Sequence, residues 1–468
     1  MAWCLIPGTA AAATKLAGMQ THLLWGDVDT AEMKRQLDLV KSSGATITRV
    51  DVGWSSLQET GPGSFSGYHL GRLDALVDAA EARGIKLLLT FTWTPCWASS
   101  APESIKQNCA GEWWSRGVDR YAPKDPAAYA SALAKVAARY KGRVKAWEIW
   151  NEPNHDAYFK APDQAAAYAA MVKAAYPAVK AADPSTTVLV GSLSGSDHAF
   201  TGRLYTLGVK GFFDAFSIHP YSEDYSPLDP VAGQDPRYSF IRGVPAVRDV
   251  MLANGDDKPL WLTEAGYSTS TVRSRDRWNN GVTEETQALY LKQQVQQIAK
   301  WSFVDATIWF NLQDTGRDAN DLHSNYGLRR WDGSAKPAWA AFQEGTAFLT
   351  NGPEQPAQGP QQPQVPSGPL TPVPPAPQPP APVTPAPVAP VAPVAPVAPI
   401  APVTPAPPAP AAPPAAPAAP PVTKRPPAKT RKRPSTSKVS AKVSRKAKAK
   451  ARAKAAAKRK AAARRAAR

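Results

Sequence analysis

Residues 144–154 read Val144-Lys-Ala-Trp-Glu-Ile-Trp-Asn-Glu-Pro-Asn154. A helical pattern, Pro126–Lys141, stops at Gly142 just before this stretch, and a second, Asp163–Ala182, follows it. The run Val144–Glu152 between them is short, rich in apolar and aromatic residues, and closed by a proline, which predicts a buried strand. A carboxylate, Glu152, therefore stands at the carboxyl end of a strand set between two helices.

The same alternation continues in both directions. Strand-like runs occupy Gly18–Leu23, Ala45–Val52, Lys86–Thr92, Val144–Glu152, Thr187–Leu193, Phe213–His219, Pro259–Glu264 and Asp305–Leu312. Helical patterns lie between them at Ala31–Ser42, Leu70–Arg83, Pro126–Lys141, Asp163–Ala182, Phe240–Ala253 and Glu284–Lys300. Several stop at a glycine (Gly44, Gly84, Gly142, Gly255), the usual residue just past a helix end. Eight strand-then-helix units predict an α/β fold of the (β/α)8, or TIM, barrel type rather than an open sheet. No Gly-x-Gly-x-x-Gly turn follows the first strand, which counts against a dinucleotide fold.

The chain has 468 residues of unlike material. Aromatic residues and carboxylates stop near residue 355, so a barrel domain is expected over residues 18–350, about the size of one large α/β barrel. Residues 351–423 form a Pro/Ala-rich linker whose centre, Val388 to Pro399, repeats Val-Ala-Pro. Proline at period three favours polyproline II, and at about 3.1 Å per residue roughly fifty residues span about 150 Å. Residues 424–468 carry 20 Lys and Arg and no Asp or Glu, so the net charge of +17 leaves the rest of the chain at −3. A tail of that composition has too little apolar surface to build a core and is expected to be disordered when free.

Residues 1–13 pair a short apolar stretch with a Pro-Gly break and small residues, the pattern of a signal-peptide leader without its basic start. Export would remove Cys4 and leave Cys96 and Cys109, an even pair in one loop. Their disulfide would contribute about 3 kcal/mol in the chain-entropy model. A secreted or cell-surface location is expected, with no run long enough to span a membrane.

The chemistry is carried by two glutamates at strand ends. Glu152 is the expected general acid/base, set off by Trp147 and Trp150 as an apolar surround. Glu264, in Pro259-Leu-Trp-Leu-Thr-Glu-Ala-Gly-Tyr267, is the expected nucleophile. Two carboxylates facing each other across a barrel mouth are what glycosidic bond cleavage requires. Asn151 is placed to donate its amide to a sugar hydroxyl, and Arg49 to pair with Glu264. Tyr221 or Tyr267 could hold the Glu264 carboxylate by a phenolic hydrogen bond. His219, His22, Trp93, Trp97 and Trp309 complete the candidate sugar-binding set, the tryptophans as flat platforms for pyranose C–H faces. Glu148 and Asp214 read as structural, and Glu223-Asp224 as a solvated loop pair. No residue spacing argues for a metal or for a phosphate-cradling loop, so no cofactor is expected.

Three segments then resemble the clan A glycoside hydrolases: Trp150-Asn-Glu-Pro153, His219-Pro-Tyr221 and Leu262-Thr-Glu-Ala-Gly-Tyr267. The nearest likeness is to family 39 and bacterial cellulase-like proteins, with family 5 more distant. It covers about residues 18–350 and extends to the closing Asp332-Gly-Ser-Ala-Lys-Pro-Ala338 and Trp339. The resemblance implies a retaining double displacement with Glu152 as acid/base, Glu264 as nucleophile and Asn151 at the sugar 2-hydroxyl. It leaves the sugar open, as well as endo against exo action (a β-xylosidase or β-glucosidase among the latter). A non-catalytic glycan-binding protein is the competing class. The chain is expected to act as a monomer on carbohydrate. Residues 424–468 are expected to hold an anionic wall polymer, acidic exopolysaccharide or extracellular DNA.

Overall fold

The computed structural model describes residues 14–351, apart from 231–234 and 276. The leader, the linker from residue 352 and the basic tail lie outside the described residues.

Eight parallel strands close into a barrel in chain order. They are β1 (Leu16–Gln20), β2 (Ile47–Gly53), β3 (Lys86–Thr92), β4 (Ala146–Ile149), β5 (Thr187–Ser194), β6 (Ala215–His219), β7 (Leu260–Ala265) and β8 (Val304–Trp309). Closure is made by β1 pairing with β8, from Leu16 opposite Ala306 to Met19 opposite Trp309. Among the described residues, eight helices of more than one turn follow the strands: α1 (Thr30–Ser42), α2 (Gly67–Glu81), α3 (Pro126–Arg139), α4 (Gln164–Ala182), α5 (His198–Thr206), α6 (Phe240–Ala253), α7 (Glu284–Lys300) and α8 (Pro337–Asn351). Two of these, α5 and α8, were not expected from the pattern. The first is only nine residues long, and the second begins in the turn-rich Asp332–Pro337 stretch.

Helix starts follow local chemistry. Asp29, Asp125, Asp163, Asp197 and Thr283 each accept a backbone N–H of the first turn through the side chain. Each such cap satisfies one orphan donor and contributes on the order of 1 kcal/mol. Gly142 ends the loop after α3 with φ of 76°, a conformation that costs a residue with Cβ.

Period two along the strands sorts the interior into layers. The floor is apolar, with Ile47, Leu88, Ala146, Leu189, Ala215, Trp261, Ala306 and Ile308 in one cluster. One step up, the same inward-facing rows bring in Gln20, Arg49, Thr90, Glu148 and Ser217, all fully buried. One more step brings Asp51 and His219 to the mouth. The alternate rows pack outward against the helices in a second and larger core, which includes Trp54, Trp147 and Trp309.

That parity corrects one expectation. Trp309 follows Ile308, so it points away from the barrel interior, and it is no sugar platform. Its ring packs edge-on against Phe342 of α8 at 5.4 Å, and its Nε1 donates to Gln294 of α7.

Candidate active site

Strand β4 ends at Ile149, short of Glu152. Trp150 and Glu152 both take left-handed backbone, at φ of 68° and 46°. This sharp exit brings Glu152 over the barrel mouth, where its N–H donates to Ser192 O at 2.9 Å. Trp147 and Trp150 are buried in the outer core instead of surrounding the carboxylate, as had been expected. Residues from other strands surround Glu152.

Glu264 sits in the last turn of β7. A Cβ at Gly266 would stand 2.4 Å from Phe310 O, so the β7 exit passes close against the β8 exit only because residue 266 is glycine. Both Glu264 oxygens are held. Arg49 Nη1 donates to Oε1 at 2.7 Å, and the Tyr221 hydroxyl donates to Oε2 at 2.8 Å. Burial and the adjacent carboxylate push the Tyr221 phenol well above its ordinary pKa, so it stays a donor. Tyr267, the other candidate, packs on Tyr290 instead.

Arg49 is fully buried and does not line the cavity. It pairs with Glu264, as expected from the sequence, from below the cavity and not as one of its lining groups. Its Nε donates to Glu148, its Nη1 to Gln20 as well as Glu264, and its Nη2 to Asn151 Oδ1 at 2.8 Å. Accepting from Arg49 through Oδ1 fixes the orientation of the Asn151 amide. Glu148 accepts from Thr90 and Ser217 as well, a buried structural carboxylate paired with Arg49.

His219 is also fully buried and is absent from the cavity lining. Its Nδ1 lies 2.9 Å from Glu152 Oε1 and 3.7 Å from Glu264 Oε2, and its Nε2 lies 3.1 Å from Ser192 Oγ. Burial works against the imidazolium, but Glu264 and Glu152 outweigh it and hold the pKa above the usual histidine value. One ligand atom each from Glu152, His219 and Glu264 falls within 4.8 Å of the others. Both Glu264 oxygens also accept hydrogen bonds, from Arg49 and from Tyr221.

Above them opens a cavity of 330 Å³ lined by Glu152, His155, Tyr158, Tyr221, Glu223, Glu264, Phe310, His323 and Tyr326, among others. Tyr326 meets Tyr221 and Phe310 edge-on at 5.8 and 5.6 Å, forming an aromatic wall. Glu223 is half-buried in this lining, while Asp224 pairs with Arg277 across two loops. Trp93 stands behind Tyr158 at 6.3 Å, and Trp97 donates to Gln58 O and packs on Trp54. His22 lies to one side, next to Phe310. Tyr158, Phe310, His323 and Tyr326 were missed because loop residues follow no period. Phe310 carried a signal, one inward step beyond Ile308, and Tyr326 lies in Asn325-Tyr-Gly-Leu328, a segment that resembles the strand-eight exit of clan A enzymes.

Known families speak to this geometry. The family model for cellulase, glycosyl hydrolase family 5, matches residues 8–306, more than half of the chain. The chain belongs to that family. It is an O-glycosyl hydrolase of clan A, with a carbohydrate substrate.

Solved structures similar to this glycosyl hydrolase include several family 39 enzymes. A family 39 glycoside hydrolase from Bacteroides cellulosilyticus WH2 matches with TM-score 0.57 and 24% identity, over 75% of this chain and 67% of that one. A monomeric β-xylosidase from Caulobacter crescentus CB15 matches at 0.50 and 21%, over 71% and 69%. An exo-β-1,4-mannosidase from an Opitutaceae bacterium matches at 0.50 and 18%, over 72% and 60%. At these identities the likeness is one of fold. No curated protein matches the chain. Among the described residues no helix is long and apolar enough to cross a membrane.

Proposed function

We propose that this glycosyl hydrolase cleaves β-linked glycans with retention of configuration. The observation that carries the reading is the separation of its carboxylates, with an oxygen of Glu152 and an oxygen of Glu264 within 4.8 Å. A retaining pair needs about 5–5.5 Å between carboxyl groups, whereas an inverting pair needs about 6.5–9.5 Å to admit a water.

In the first step a Glu264 oxygen attacks the anomeric carbon. The bond to the leaving oxygen breaks, and Glu152 gives that oxygen its proton. A glycosyl ester on Glu264 remains. In the second step water attacks the same carbon, Glu152 takes the water's proton, and Glu264 leaves as carboxylate. Arg49 and Tyr221 hold Glu264 in line for attack, so positioning is complete before substrate arrives. Asn151 Nδ2 faces the sugar 2-hydroxyl, a contact that strengthens in the transition state.

The test is the anomer first released from an aryl β-glycoside, followed by proton NMR before mutarotation. The β-product supports the reading, and the α-product overturns it.

The reading extends to the whole chain as a secreted or surface-held enzyme. Residues 424–468 tether it to a polyanion such as an anionic wall polymer, acidic exopolysaccharide or extracellular DNA, and residues 351–423 give the barrel reach. The charge partition supports this, since all the excess cations lie in the tail. Retention on an anionic matrix that weakens steeply with salt is the expected result, and salt-insensitive retention would refute it.

A further inference from the structure

Strand β5 carries one residue more than its neighbour. Val190 stands opposite Phe216 and Leu193 opposite Ile218, so three steps on β5 match two on β6. The extra residue makes a bulge, and its turn falls on Gly191 and Ser192, at φ of 118° and 48°. A Cβ at residue 191 would stand 2.3 Å from Ser217 O, so only glycine passes there. At Ser192 the left-handed backbone costs a residue with Cβ, and such strain persists only where its surroundings fix it.

The bulge reverses the way residue 192 faces. Leu189 belongs to the barrel floor and Val190 to the outer core, so strict alternation would turn residue 192 outward with Val190. Leu193 takes that outward place instead. Ser192 is fully buried, with its hydroxyl 3.1 Å from His219 Nε2 and 3.4 Å from Arg49 Nη2. Its backbone is held on both sides. The N–H donates to Ser217 Oγ at 2.8 Å, and the carbonyl accepts from Glu152 N–H at 2.9 Å. Ser192 is not part of the cavity lining, so it reaches the chemistry only through His219.

The roles of these atoms follow from what each can do. A guanidinium only donates, so Ser192 Oγ accepts from Arg49. Among the described residues the hydroxyl has one other partner, His219 Nε2, so its own proton goes there and Nε2 accepts. The proton of the neutral ring then lies on Nδ1 and donates to Glu152 Oε1. With Oε1 accepting, the acid proton of Glu152 is left to Oε2. Each polar atom from Arg49 through Ser192 and His219 to Glu152 then has a partner.

A competing arrangement moves the acid proton onto the ring, giving an imidazolium beside an ionised Glu152. Burial opposes it, and the Glu264 and Glu152 carboxylates favour it. There Nε2 becomes a donor and Ser192 must accept twice. Its own hydroxyl proton is then left without an acceptor in a fully buried place, which is costly. The hydroxyl thus opposes loss of the Glu152 proton to His219.

We propose that Ser192, on the β5 bulge, is a positioning residue that holds the His219 proton on Nδ1 and so keeps the Glu152 proton on Oε2, free for the leaving oxygen. The proposal rests on Glu152 being the general acid of the glycosidase reading, and it adds the group that keeps that acid loaded.

The experiment compares Ser192→Ala and Ser192→Gly with wild type on phenyl and dinitrophenyl β-glycosides of one sugar, glucose, xylose or mannose. Phenoxide needs a proton from the acid as it leaves, and dinitrophenoxide does not. Both variants keep the backbone bonds to Ser217 and Glu152. Glycine also suits the left-handed backbone, so Ser192→Gly should hold its Tm. Each variant should lose about tenfold in kcat/KM on the phenyl glycoside and no more than about twofold on the dinitrophenyl one, because general acid help acts on the first alone. Equal losses on both glycosides, or no loss on the phenyl one, overturn the proposal. If wild type cleaves neither glycoside, the glycosidase reading fails by itself, and NMR of the His219 ring nitrogens still reads the place of the proton. An unprotonated Nε2 whose resonance moves in Ser192→Gly supports the assignment. A proton on Nε2 of the neutral wild-type ring, or a resonance indifferent to the substitution, overturns it.

Discussion

Arg49 joins Glu264 to Glu148. One guanidinium, fully buried, donates Nη1 to Glu264 Oε1 at 2.7 Å and Nε to Glu148 Oε2 at 2.8 Å. The surface-facing carboxylate is thus positioned by the same cation that neutralises the buried one. Replacing Arg49 with Met should cost about 3–5 kcal/mol, because Glu148 is left charged and unpaired in the barrel. Arg49→Lys restores charge without the planar fork and should keep more stability than activity. Urea unfolding and kcat measured on both variants check this.

The ion pair also sets an acid limit. Burial alone would raise the Glu148 pKa, but Arg49 and its other partners outweigh burial and hold it below the ordinary value. A depressed carboxylate contributes stability that is present above its unfolded pKa and lost as pH falls through the folded one. Stability should therefore decline below about pH 4, and Glu148→Gln should flatten that decline. Thermal melts from pH 3 to 7 measure it.

Asp51 runs the other way. Burial raises its pKa to about 6, with Arg49 opposing and Glu264 and Glu148 reinforcing the rise. Its folded form binds the proton more tightly than its unfolded form, so an ionised Asp51 costs stability progressively from about pH 4 to 6. Asp51→Asn should raise Tm at pH 7 and leave it nearly unaltered at pH 4. Equal shifts at both pH values would contradict the assignment.

His219 links Glu152 and Glu264, at 2.9 and 3.7 Å from its Nδ1. Its raised pKa means that the pairing stabilises the fold fully below the unfolded value, about 6.5, and fades as pH rises through the folded value. His219→Gln should remove that alkaline loss of stability. It should also lower kcat by about 100-fold, since Glu152 loses the partner that orients its proton. A change confined to KM would argue against proton steering.

Much of this was legible in the residues, and the failures have physical causes. Alternation of strand and helix showed the barrel because each unit repeats a simple period. Glu152 and Glu264 stood out because each ends a short apolar run in a marked frame. What was obscured depended on parity and on backbone turns. Trp309 and Phe310 are adjacent aromatic residues, and only the register of β8 decides which one faces the site. Trp147 and Trp150 surround the Glu152 motif in the chain, but a left-handed turn carries the carboxylate away from them. Cys96 and Cys109 do form the disulfide expected of them, with Cα atoms 5.7 Å apart.

The parity of β8 gives a further test. Trp309→Ala should cost about 3–5 kcal/mol of stability by emptying the space between α7, α8 and the barrel. Phe310→Ala should cost less stability and more kcat/KM. A reversed pattern would place the wrong ring at the site.

The most direct test of the central claim removes each carboxylate in turn and supplies azide. With an aryl β-glycoside, Glu264→Ala should be rescued to give the α-glycosyl azide, formed by one inversion at the vacated nucleophile's position. Glu152→Ala should give the β-glycosyl azide, formed by azide attack on the ester still carried by Glu264. The opposite anomers, or hydrolysis by Glu264→Ala at the wild-type rate without azide, would contradict the roles assigned to the pair.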